Sequence, residues 1–194
     1  MNVRKELTLA VALIFIAITL YFVIDFLRSS SEKTNVEEFI IEDLKTKHPN
    51  AEIFEIISME IKFNDEEEQY YFVKARVTEG ISTPCPIRIH YYYNYPEQNF
   101  VTQPPEYITT SECKVCKVLP CTLVFEEEAI IASHTADGTE EIHEFVSENK
   151  NVYHVVIEEY KSWRVFWYDS KGLDGYEVLL SVHGEVEEIN KISK

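Results

Sequence analysis

The sequence predicts an α+β protein: an N-terminal transmembrane helix, then two helix-on-antiparallel-sheet units with a cysteine-containing insert between them. Three observations lead there. Leu7 to Ile24 runs for 18 residues without a charge. A pattern of helix, strand, turn and strand occurs once before residue 82 and again after residue 123. All four cysteines, and six of the seven prolines, fall between the two patterns.

The charge-free run would make about 27 Å of helix, close to the hydrocarbon thickness of a bilayer. It is too long for a signal-peptide core and has no small-residue cleavage pattern after it. Its apolar residues cover every face, which is unlike an amphipathic core helix. Residues 1–28 are therefore predicted to be a retained anchor that meets the membrane through residues 7–27. Arg4 and Lys5 precede the run. Arg28 follows it and is offset by Asp25 one turn back. That bias predicts a single-pass chain with a cytoplasmic N-terminus and an extracytoplasmic C-terminal domain.

Ser29 to Lys33 reads as a polar linker, and the first α+β unit follows over residues 34–82. Thr34 and Asn35 offer N-caps, with Glu37 and Glu38 at capping-box spacing. Val36, Phe39, Ile40 and Leu44 share a helical face, and Pro49 stops the helix after His48. Ile57 to Phe63 alternates as a half-buried strand. The acidic tip Asn64 to Gln69 turns the chain into a second strand, in which Tyr71, Val73, Ala75 and Val77 alternate with polar neighbours.

The second unit spans residues 123–194. Asp137 or Thr139 caps a helix bearing Ile142, Phe145 and Val146, and Val152–Ile157 and Trp163–Tyr168 read as strands. Asp169 to Gly175 turns, and Tyr176, Val178, Leu180 and Val182 alternate onward until Gly184 breaks the run before Glu185–Ile189. The shared order predicts an internal duplication.

The ending Trp163-Arg-Val-Phe-Trp, a turn, then Tyr176-Glu-Val-Leu-Leu-Ser-Val-His-Gly-Glu-Val resembles the second half of a PepSY domain. The match covers about the last third of the chain, and the first unit resembles that family in layout only. The resemblance implies a helix on a short antiparallel sheet, similar in build to cystatin-like folds. It further implies an extracytoplasmic domain associated with protease regulation or accessory sensing, and it carries over no catalytic residue.

The insert, residues 83–122, holds Cys85, Cys113, Cys116 and Cys121 among Pro84, Pro86, Pro96, Pro104, Pro105 and Pro120. It is predicted to be loop-rich with short edge strands. On the extracytoplasmic side an even cysteine count favours two disulfides. Cys113 and Cys116 lie too close together to pair easily, so Cys85 should pair with one of the other three. A tetrathiolate zinc site on the same four residues is the competing reading, because Cys113-x2-Cys116 has ligand spacing. A redox CxxC is a third reading, although Lys117-Val-Leu-Pro120 does not open the helix that such chemistry uses. The run Arg88 to Tyr95 would place Tyr91, Tyr93 and Tyr95 on one face of a strand. That face is either the half-wet side of a sheet or a binding surface.

Removing Arg4, Lys5 and Arg28 from the 18 Lys and Arg, and Glu6 and Asp25 from the 34 acids, leaves 15 against 32, a net of −17 after residue 28. That charge repels nucleic acid. With 13% aromatic residues, the chain is not of a disordered composition. His143-Glu144 lacks the second histidine of a zinc hydrolase helix, and no glycine-rich phosphate loop or nucleophile elbow occurs. The acids Glu66–Glu68 and Glu126–Glu128 read as a solvated hairpin tip and the first turn of a helix. The expected function is a membrane-anchored extracytoplasmic binding or accessory domain, neither enzymatic nor cofactor-dependent. It would recognise a peptide or envelope protein, or regulate a protease. The alternatives are a pilin-like structural subunit, which Glu6 beside the apolar run invites, and an enzyme whose site the sequence hides.

Overall fold

The computed structural model describes residues 3–96, 103–109, 111–115, 121–149 and 151–193, with the side chains of all of these but 3–13 and 25–32. Two compact units form, residues 1–47 and 48–194.

The first unit is one helix, α1 (Val3–Lys47). The expected linker at 29–33 lies inside it, because Ser-Ser-Ser-Glu-Lys contains neither Gly nor Pro to interrupt the hydrogen-bond ladder. Thr34 and Asn35 are therefore helix-interior residues rather than caps. The helix ends just ahead of Pro49, with basic Lys45 and Lys47 at its negative end. Lys47 Nζ also pairs with Asp43 at 2.7 Å. The predicted fold class needs correction on one point: among the described residues, no helix is long and apolar enough to cross a membrane.

The second unit is α+β with two antiparallel sheets. The first sheet contains β1 (Ala51–Phe63), β2 (Gln69–Glu79), β3 (Ile87–Tyr95) and β4 (Glu106–Tyr107), neighbours in that order. At the β1–β2 tip, Asn64 Oδ1 accepts hydrogen bonds from the N–H groups of Glu66 and Glu68, an Asx arrangement that fixes the turn. Residues 83–122 carry β3 and the short edge strand β4. They supply a full inner strand, because Ile87–Tyr95 contains no Pro or Gly, and Pro86 and Pro96 bracket it instead of interrupting it.

Two short helices follow, α2 (Glu126–Thr135) and α3 (Glu140–Glu148), then β5 (Tyr153–Glu159), β6 (Ser162–Tyr168), β7 (Asp174–Ser181) and β8 (Val186–Ser193). The second sheet repeats the meander, β5-β6-β7-β8. Register places Trp163, Val165 and Trp167 beside Leu180, Val178 and Tyr176. That face closes against Ala129, Ile130 and Ala132 of α2 and Ile142 and Val146 of α3 to form the main hydrophobic core. Each such large side chain contributes about 1.5–3 kcal/mol when fully buried. Gly175 opens β7 because a Cβ there would sit 2.0 Å from the carbonyl oxygen of Trp167. The helix-on-sheet layer expected after residue 123 is present, with α2 as an additional helix.

Candidate functional site

The tyrosines of β3 come first. Pairing sets Tyr93 opposite Val73, Tyr91 opposite Ala75 and Ile89 opposite Val77, so the odd-numbered residues of both strands share one buried face. Tyr91 and Tyr93 are 8% and 0% exposed, and Tyr95 is half-buried. Tyr91 Oη is bonded to His48 Nε2, whose Nδ1 lies 2.7 Å from Glu79 Oε1. Strand parity turns Tyr91 and Tyr93 into this buried face and leaves Tyr95 half-buried at its end.

The cysteines take the disulfide form where they are described. Cys85 is bonded to Cys113, one of its three predicted partners, and Cys121 is also disulfide-bonded. Cys116 lies outside the described residues. Three of the four thiolates needed for the zinc alternative are thus held in disulfides.

The even-numbered face of the first sheet is polar yet largely buried. Arg76, Thr78 and Arg88 meet the first turn of α2 there. Arg76 Nη1 donates to Glu127 Oε1 at 2.6 Å, Arg76 Nε donates to Glu55 at 2.7 Å, and Arg88 Nη2 donates to Glu128 at 2.5 Å. Both guanidinium groups lie over the Phe125 ring, at 3.8 and 4.9 Å. Glu128 Oε2 also accepts from the backbone N–H groups of Val124 and Phe125 and so caps α2. Acids at a helix N-terminus suit the dipole, and here they also neutralise two buried cations. Further along the same face, Tyr92 Oη donates to Glu106 at 2.8 Å, and Lys74 Nζ sits 5.4 Å over the Tyr92 ring. His90 is 6% exposed, and neither ring nitrogen has a hydrogen-bond partner among the described residues. Burial, then Lys74 and Arg88, hold its pKa down at about 4. Among the described residues, no Ser, Thr or Cys is hydrogen-bonded to this neutral imidazole.

Two other features complete the survey. A concavity of about 430 Å³ beside the end of α2 is lined by Ala132, Thr135, Asp137, His183 and Glu185 among others. Among the described residues, no group of three or more His, Cys, Asp or Glu is arranged to hold a metal.

The outer face of the second sheet carries an exposed apolar strip. Tyr153, Val155 and Ile157 of β5 point there and are 44–46% exposed. They lie beside half-buried Phe166 and Tyr168 of β6, and the Tyr153 and Tyr168 rings stack at 5.3 Å. β5 is an edge: its only strand neighbour among the described residues is β6. Of the other long edges, β1 exposes Glu52, Glu55 and Glu60 together with Ile61 and Phe63 near its tip, and β8 exposes Glu187, Glu188 and Lys191, and such edge charges discourage further pairing. β5 leaves its apolar residues uncovered and holds its acids, Glu158 and Glu159, at one end. Arg164 is tied to Glu159 at 2.7 Å and also to Glu177, so the cation on this face is already neutralised. The sequence carried a signal for this face. Tyr-His-Val-Val-Ile is apolar on both strand faces, more than a strand with one wet side requires. No family model, curated protein or solved structure matches the chain.

Proposed function

We propose that the chain is a non-enzymatic recognition module that captures an extended peptide segment by adding it as a strand beside β5. The observation that carries this reading is the open β5 edge, bearing Tyr153, Val155 and Ile157 about half exposed on one face. In strand addition, backbone hydrogen bonds supply affinity and alternate side chains supply specificity. Apolar side chains of the peptide would lie over Val155, Ile157 and the Phe166–Tyr168 pair. A basic flank would meet Glu158 and Glu159, in keeping with a chain of net charge −16. The Cys85–Cys113 bond supports work in an oxidising, extracytoplasmic compartment. The PepSY-like tail supports an accessory role, such as holding a protease or its substrate.

The test uses the full chain and a rhodamine-labelled peptide, Lys-Val-Thr-Val-Thr-Val-Lys, followed by fluorescence anisotropy. Binding that weakens with salt, and that Val155→Lys abolishes at an unchanged melting temperature, supports the reading. Equal binding by wild type and Val155→Lys, or no binding by either, overturns it.

A further inference from the structure

Two histidines, His134 buried and His154 half-buried, grip the segment that joins β2 to β3. His134 Nε2, on α2, lies 2.8 Å from the carbonyl oxygen of Pro84, and His154 Nε2, on β5, lies 3.0 Å from that of Ile81. A carbonyl only accepts, so each ring carries its proton on Nε2 and leaves Nδ1 as a bare lone pair. Both Nδ1 atoms are buried and have no partner among the described residues. Trp167 makes edge contacts with both rings, 5.4 Å from His134 and 5.0 Å from His154. Its indole N–H is held by Ser133 Oγ at 2.8 Å. The gripped segment also carries Cys85, and Ile81 packs onto the main core.

We propose that His134 and His154 form an acid-opened clamp that ties the β2–β3 connector to the second sheet and releases the β5 edge's bound peptide when the pH falls. This rests on the peptide-capture reading above.

A second proton on either ring must go to Nδ1, where His154 has no acceptor among the described residues and His134 has at most its own backbone carbonyl. The positive charge finds no counter-charge either. His134 faces His143 of α3, ring to ring at 5.9 Å, and faces His154 of β5. The groups facing His154 are the Ile81 carbonyl and Trp167. Among the described residues no carboxylate, Lys or Arg pairs with either imidazole. Burial accordingly lowers both pKa values below the ordinary 6.5. The sign is set by that direction. An opened imidazole takes its proton near pH 6.5 and a clamped one only at lower pH, so acid favours the open form. His154 sits between Tyr153 and Val155 on β5 itself. When its ring leaves the core, the strand that pairs with the peptide loses its backing.

The experiment measures peptide anisotropy and Trp167 fluorescence on the full chain from pH 7.5 to 5, for wild type and for His134→Gln/His154→Gln. Glutamine keeps a donor at the Nε2 position but does not titrate. The expected result is wild-type affinity about tenfold weaker for each pH unit of unbalanced proton uptake, with a parallel fluorescence change, and neither effect in the glutamine variant. An equal loss of affinity in the variant overturns the clamp. So does a wild-type affinity that stays constant with pH. If the variant does not fold, imidazole resonances of the wild type decide. Titration of His134 and His154 together with peptide release supports the clamp, and release without their titration overturns it. Absence of peptide binding at every pH instead removes the capture reading, and the pH-dependent release falls with it, whereas the fluorescence change reports the clamp by itself.

Discussion

Glu127 accepts a 2.6 Å hydrogen bond from Arg76 although its side chain is only 1% exposed and 51 residues separate the two in sequence. Thr78 Oγ1 donates to the same carboxylate oxygen, and Arg88 Nη1 stands 3.7 Å from it. Removing one member leaves a buried charge uncompensated, so Glu127→Ala should cost about 3–5 kcal/mol. A substitution that replaces both partners with apolar residues, Arg76→Met/Glu127→Leu, should cost much less. Urea denaturation of the two variants measures the contrast. Equal losses would mean that packing rather than charge dominates this face.

The Cys85–Cys113 bond closes a loop with a sequence separation of 28. The chain-entropy model assigns such a loop on the order of 3–4 kcal/mol. Cys85→Ser/Cys113→Ser should lower the urea midpoint accordingly. A midpoint that does not move would show that the loop is already constrained in the unfolded chain.

Strand parity in β3 is testable by neighbouring substitutions. Tyr93 is fully buried, so Tyr93→Ala should cost about 3–5 kcal/mol. Tyr92 is half-buried and is held by Glu106 and by stacking on Phe72 at 6.2 Å. Tyr92→Ala should therefore cost only about 1 kcal/mol. Thermal melts of the two variants would reverse in order if the register were shifted by one residue.

His90 gives the first sheet an acid limit. Its pKa in the fold is about 4, so between pH 6.5 and 4 the unfolded chain binds the extra proton and the folded chain does not. Stability should fall as the pH drops through that window. His90→Gln should flatten the slope whatever its absolute stability. An unchanged slope would assign the acid loss to carboxylates instead.

Alternation along the chain revealed much of the fold. Tyr71, Val73, Ala75 and Val77 lie in β2 as predicted, and Asn64–Gln69 turns between β1 and β2. Thr139 precedes α3, and Gly184 falls in the turn between β7 and β8. What could not be read is what distance in sequence conceals. Glu126 to Glu128 mark a helix start as expected, yet Glu127 and Glu128 are buried, because their partners Arg76 and Arg88 lie 51 and 40 residues earlier. No local period encodes that meeting. The tyrosine strand is a related case. Parity was visible, but which parity faces inward depends on β2, and only the paired register shows it. The β5 edge was legible as a strand but not as an edge, since neighbour order in a sheet is not a local property.

The contact between α2 and the first sheet also carries a consequence for synthesis. A chain emerges N-terminus first, at about 5–20 residues per second. The whole β1–β4 meander is therefore delivered before Phe125, Glu127 and Glu128 exist to cover Arg76 and Arg88. For a few seconds the nascent sheet presents Arg88 without its carboxylate and Arg76 with only Glu55 beside it, until the later helix covers both. A chain arrested before residue 125 would hold that half-finished surface indefinitely. Such a fragment should be retained by whatever holds incomplete chains, while the full-length product goes free.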